Sequence, residues 1–127
     1  MNTLYPSARE RFLTKHIHWV NDVIMAALVT PEYVFDPSHV TLVEVPSVAR
    51  IATSPITART ATAGWANGSC LLAAADLTLA NGVLIYKDTG NAAQSALIAY
   101  YDIGFGLPAT EAGSYNFIHT GLGYFRL

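Results

Sequence analysis

Two apolar runs around one polar loop constrain this chain more than any other stretch. "VLIYK" (Val83–Lys87) and "ALIAYYD" (Ala96–Asp102) have strand length, and "DTGNAAQS" lies between them. Their spacing predicts an antiparallel hairpin with a longer connection. Lys87, Asp88, Thr89 and Gly90 form the first shoulder of its turn, where Gly90 can take a positive φ without steric cost. The same "KDTG" invites a phosphoryl-transfer reading, but the order is wrong. Enzymes phosphorylated on aspartate place the lysine after the aspartate and add acidic motifs for magnesium; here Lys87 precedes Asp88. A P-loop needs several glycines and a lysine–threonine pair opening a helix. The stretch reads as a turn with charged shoulders.

Much of the chain follows the same pattern of short apolar runs and turn residues. "VIMAALVT" (Val23–Thr30) is a buried strand stopped by Pro31, and "VTLVEV" (Val40–Val45) alternates as a strand does. Thr53–Thr62 suits a twisted edge strand or a long ordered loop, since Pro55 argues against a central position. Cys70–Ala80 has the alanine content of a helix, but Leu77-Thr78-Leu79 pulls it toward strand. Ser114–Thr120 and Tyr124–Leu127 are short strands separated by Gly121 and Gly123. One helix opens the chain, with Leu4, Ala8 and Phe12 as its apolar stripe and Pro6 in its first turn. Roughly seven or eight short strands predict a mainly β fold, sandwich or jelly-roll-like, or a small barrel. The 127 residues are read as one β-rich domain, with 1–20 as helix or arm and 21–127 as the sandwich.

Composition bears on function. Hydrophobic residues make up 52% of the chain and charged residues only 13%, about half the usual ~25%. So little charge leaves a surface suited to burial against other subunits. The basic residues are scattered and the net charge is −2, which argues against a nucleic-acid partner. The apolar run "VIMAALV" is far below the roughly 20 residues that span a bilayer. The start "MNTLYPSARERF" lacks the apolar core of a signal peptide. A soluble protein made in the cytosol, without a membrane partner, is expected.

Catalytic chemistry finds no foothold in the residue pattern. Cys70 is the single cysteine, and Leu71 and Leu72 after it point to a core position with an inert thiol. His16, His18, His39 and His119 are scattered, and Cys70 is the one available thiolate for a structural zinc. Ser69 lacks the glycine-framed elbow of a hydrolase serine. Asp88 and Asp102 flank the hairpin strands from opposite ends, as solubilising acids do. No catalytic, cofactor or metal-binding residues are assigned. The aromatics Tyr86, Tyr100, Tyr101, Tyr115, Phe117, Tyr124 and Phe125 crowd the last third. They admit either an ordinary β-core with one exposed tyrosine or an interface. On a strand Tyr100 and Tyr101 point to opposite faces, so one of them is expected outside the core of a single sandwich.

Taken in order, "LYPSARERFL…W…VIMAALV", "YVFDPSH", "LIYKDTG", "SALIAYYD" and the closing "FRL" resemble a family of small virion proteins of tailed bacteriophages. The resemblance implies a non-enzymatic structural protein of the decoration or cement type, a β-sandwich on the capsid exterior. Such a protein is made in the host cytoplasm, braces major capsid protein subunits, and self-associates as a trimer or dimer. Leu4, Tyr5, Arg9, Phe12, Tyr101, Tyr124 and Phe125 are the expected partner contacts, with the opening helix as a docking arm. Two other functions fit the pattern: a tail, neck or fibre component, and a β-barrel that binds a small ligand such as a sugar.

Overall fold

A computed structural model of the chain describes residues 2–74, 80–103, 113–118 and 123–127. The strands are β1 (Thr3–Leu4), β2 (Ile24–Val29), β3 (Arg50–Pro55), β4 (Thr57–Thr62), β5 (Trp65–Ala74), β6 (Gly82–Lys87), β7 (Leu97–Tyr101), β8 (Gly113–Ile118) and β9 (Phe125–Arg126). Among the described residues one α-helix, α1 (Pro6–Leu13), follows β1, with Pro6 in its first turn, where a missing N–H costs nothing; Leu4 is therefore on a strand and not on the helix's apolar stripe as expected. The strands form two antiparallel sheets. One has the order β1-β7-β6-β2-β3; the other has the order β4-β5-β8, with β9 also paired to β5. The chain is mainly β, with two sheets and a short helix in a sandwich-type arrangement.

The expected hairpin is β6–β7, with Val83 opposite Tyr101 and Leu84 opposite Tyr100. Its loop is held by its own polar side chains. The Asp88 carboxylate accepts the Gly90 N–H at 3.0 Å, and Ser95 Oγ accepts the Thr89 N–H at 3.1 Å while donating to the Asn91 carbonyl at 2.9 Å. Gly90 has φ 83 and open space where a Cβ would stand. Lys87 reaches away from the turn, to the Asp22 carboxylate at 3.3 Å and the His16 carbonyl at 2.7 Å.

Strands β2, β6 and β7 are almost wholly buried, which explains why they read as continuous apolar runs. A sheet covered on both faces needs apolar side chains at every position. Tyr100 and Tyr101 do face opposite sides of the sheet as expected, but both are buried, which corrects the reading that leaves one tyrosine exposed. Tyr100 packs on Tyr33 and Phe35, with ring centroids 5.7 and 5.3 Å apart. Tyr101 packs on Phe117 of the second sheet at 5.5 Å. Gly82 belongs to the same arrangement, because a Cβ there would stand 2.7 Å from the Tyr100 hydroxyl.

Three further expectations change. Val40–Val45 is not a strand: Thr41 makes one isolated bridge to Ala96, and Leu42–Glu44 closes into a 3-10 turn. Glu44 folds back to accept the Val40 and Thr41 N–H groups at 3.0 and 3.4 Å, so Thr41-x-x-Glu44 behaves as a helix-start signature. Thr53–Thr62 is neither one edge strand nor a loop. It breaks at Pro55-Ile56, and buried Ile56 carries the chain from β3 on an edge of the first sheet to β4 on an edge of the second. Cys70–Ala74 is strand, but β5 begins earlier, at Trp65; the Leu77-Thr78-Leu79 signal lies outside the described residues, as do His119, Thr120 and Gly121.

Candidate functional site

The exposed apolar surface next to α1 and β9 is built on a frame of named bonds. Trp65 and Ala66 of β5 pair with Arg126 and Phe125 of β9. Strand alternation turns Phe125 inward and leaves Arg126 exposed, with its guanidinium 5.9 Å from the Trp65 ring centre. Trp19, in the segment after the helix, donates its ring N–H to the Asn67 carbonyl at 3.0 Å and meets Phe125 edge-on at 5.2 Å. That segment is fixed by Arg59, which donates to the carbonyls of Trp19 at 2.7 Å, Val20 at 3.1 Å, Ile56 at 2.6 Å and Asp22. The register of β4 slips between Thr57 and Thr60, with Ala58 at φ 53. Such a bulge re-aims the side chain beside it, here Arg59.

Phe12 of α1 packs on Phe125 at 5.8 Å and closes the other side. Between these walls lies a hollow of about 250 Å³, lined by Phe12, Trp19, Trp65, Phe125 and Leu127 among others. A second hollow of about 280 Å³ continues past Phe12 and Leu127 to Leu13 and Arg9. A third, of about 240 Å³, shares Arg9 and Phe125 and adds Arg126. Shared walls make the three one groove. Leu13 is 85% exposed and Leu127 57%, and Val20 on the wall of the first hollow is exposed as well.

Among the expected partner contacts, Leu4, Tyr5, Tyr101, Tyr124 and Phe125 are buried within this chain, which leaves Arg9 exposed and Phe12 half-buried at the groove. The buried five are core because each meets a specific neighbour. Tyr5 Oη lies 2.6 Å from Tyr33 Oη, and Tyr33 Oη lies 2.9 Å from His39 Nδ1. His39 in turn faces Glu44 at 3.8 Å. Burial pushes both tyrosine hydroxyls above their ordinary range. Tyr101 Oη donates to the Tyr124 carbonyl at 2.9 Å, and the Tyr124 ring stacks on Phe117 at 4.6 Å. Leu13, Trp65 and Leu127 carry the groove instead. Leu13 had a legible signal: it is a leucine one residue outside the Ala8–Phe12 stripe of a short helix.

The reactive residue types are placed as follows. Cys70 is buried, its thiol 3.5 Å from the Ser54 carbonyl, and burial pushes that thiol up so the nucleophilic thiolate is disfavoured. Among the described residues no three histidine, cysteine or acidic side chains gather as a metal site, and no helix is long and apolar enough to cross a membrane. A polar hollow of about 490 Å³ near Ser7, Glu10 and His16 has its groups partly engaged, since Arg11 donates to the Val40 carbonyl and Thr14 bonds His16. What the described surface offers is an apolar, aromatic groove with arginines at one end. Compared with known proteins, the chain matches no family model, no curated protein and no solved structure.

Proposed function

We propose that this chain is a non-enzymatic structural protein of a tailed-bacteriophage virion, which decorates the capsid exterior and braces major capsid protein subunits. The groove between α1 and β9 is its docking face. The observation that carries the reading is the 85% exposure of Leu13 beside half-buried Phe12 and exposed Leu127, on a chain with only 13% charged residues. Contiguous apolar surface of this kind is stabilised when a partner covers it. Tryptophan and arginine beside an apolar centre have the composition of interface hot spots. Self-association as a dimer or trimer belongs to the same reading. On a shell, many copies of a modest contact act together and resist opening.

The resemblance in the "YKDTG" and "LIAY" stretches supplies the phage context, and the sandwich fold is compatible with it. The test adds purified chain back to particles lacking it and measures occupancy. Leu13→Asp puts a charge on the most exposed apolar side chain of the face without touching the core, and it should abolish occupancy while leaving the melting temperature unchanged. Wild-type occupancy by this variant would remove the groove from the reading. Binding confined to tails or necks would move the role to attachment or assembly.

A further inference from the structure

The groove is apolar along its floor and cationic at one end, and this asymmetry says what it takes. Arg9 lines two of the three hollows and Arg126 lines one, and His18 stands at the far end. Among the described residues no aspartate or glutamate lines any of the three. Among the described residues neither the Arg9 nor the Arg126 guanidinium has an ion-pair or hydrogen-bond partner, whereas Lys87, elsewhere on the surface, is paired with Asp22. Neither arginine is paired with a carboxylate among the described residues, and the Arg126 guanidinium lies only over the Trp65 ring at 5.9 Å, so both can take one from a partner, since the guanidinium fork fits a carboxylate by two parallel bonds.

From this we infer that the groove binds an extended acidic segment of a partner protein, its apolar side chains seated at Phe12 and Leu127 and its carboxylates on Arg9 and Arg126. The inference rests on the docking reading above and adds the chemistry of the partner. The groove is divided into three open hollows of about 240 to 280 Å³ each, a row of side-chain-sized compartments that suits an extended peptide better than the single chamber of a small-molecule pocket does. Two cations are too few to hold nucleic acid by counterion release. A bilayer surface is nearly flat and leaves the walls of a groove unfilled.

The experiment titrates the purified chain with two fluorescein-labelled peptides, Leu-Glu-Leu-Glu-Leu amide and its lysine counterpart, by anisotropy at low salt. The glutamate peptide should bind about tenfold more tightly, the rough sum of two rim charge pairs. That preference should fade as salt rises. The Arg9→Glu, Arg126→Glu double variant should reverse the preference, while Leu13→Asp should weaken both peptides. Equal affinity for the two peptides, an unchanged preference in the double variant, or no saturable binding at millimolar concentration would overturn the inference. Stronger capture by phosphatidylserine vesicles than by the glutamate peptide would do the same. Particle occupancy separates the two ideas. If Leu13→Asp abolishes occupancy and the charge-reversed variant retains it, the docking face stands and the acidic partner falls.

Discussion

Arg59 Nε donates to the carbonyl oxygen of Trp19 at 2.7 Å, forty positions back along the chain. The same guanidinium holds the carbonyls of Val20, Ile56 and Asp22. One side chain thereby replaces regular structure in the 17–22 segment, satisfying backbone acceptors that neither sheet pairs. Trp19 is placed so that its ring walls the groove. The docking surface thus depends on a residue that never touches its floor.

Replacing Arg59 with alanine should cost about 2–4 kcal/mol, because several charge-assisted bonds are lost and carbonyls are left without donors. Urea denaturation measures it. Arg59→Lys should recover only part, since a lysine cannot present the planar fork to so many acceptors. A loss below about 0.5 kcal/mol for Arg59→Ala, the range of an ordinary surface change, would contradict the role.

The hairpin turn separates a side-chain effect from a backbone effect. Asp88→Ala removes the acceptor for the Gly90 N–H and should cost at most about 1 kcal/mol. At Gly90 there is room for a side chain but φ is 83, so Gly90→Val should cost about 1–3 kcal/mol from conformation alone. Equal, negligible costs in thermal melts would argue against this turn.

Gly82 gives the opposite case, where space decides. A methyl group there would meet the Tyr100 ring and hydroxyl at 2.7–3.0 Å. Gly82→Ala should therefore destabilise by about 1–3 kcal/mol through overpacking. Tyr100→Leu in the same chain should recover part of that loss. Strict additivity of the two changes would show that they do not meet.

Alkaline pH should unfold the protein steeply. Burial is the first cause raising each of Tyr5, Tyr33, Tyr86, Tyr100, Tyr101, Tyr115 and Tyr124 above its ordinary value, with Tyr115 pushed up to about 12. These groups are neutral in both states below pH ~10, so stability is full there. Above it the unfolded chain releases protons that the folded chain keeps, and stability falls until the folded values are passed. Each deeply buried tyrosine contributes up to about 1.4 kcal/mol per pH unit in that window. Urea midpoints between pH 8 and 11.5 check the sign; a flat profile above pH 10 would contradict it.

The hairpin, the buried β2 and the edge position of β3 could all be read from the residues, because apolar runs, Gly90 and Pro55 act locally. Val40–Val45 misled for a local reason too. Its alternation resembles a strand, but Glu44 at three residues from Thr41 captures the backbone N–H groups first. The partner surface was harder to read. A tyrosine in a strand carries no mark of what covers it, and Tyr5, Tyr101 and Tyr124 became core through bonds to Tyr33, Tyr124 and Phe117, residues 28, 23 and 7 positions away. Leu13 stood one residue outside the apolar stripe in the sequence, and its exposure follows from the helix ending there and the chain turning at Lys15, with φ 67.

The most direct measurement is cryo-electron microscopy, at side-chain resolution, of the native particle that carries this chain. The account predicts density for the chain on the icosahedral lattice, with Leu13, Phe12 and Leu127 covered by major capsid protein. Density in which the Leu13 face looks into solvent, or no density on the lattice, would contradict it.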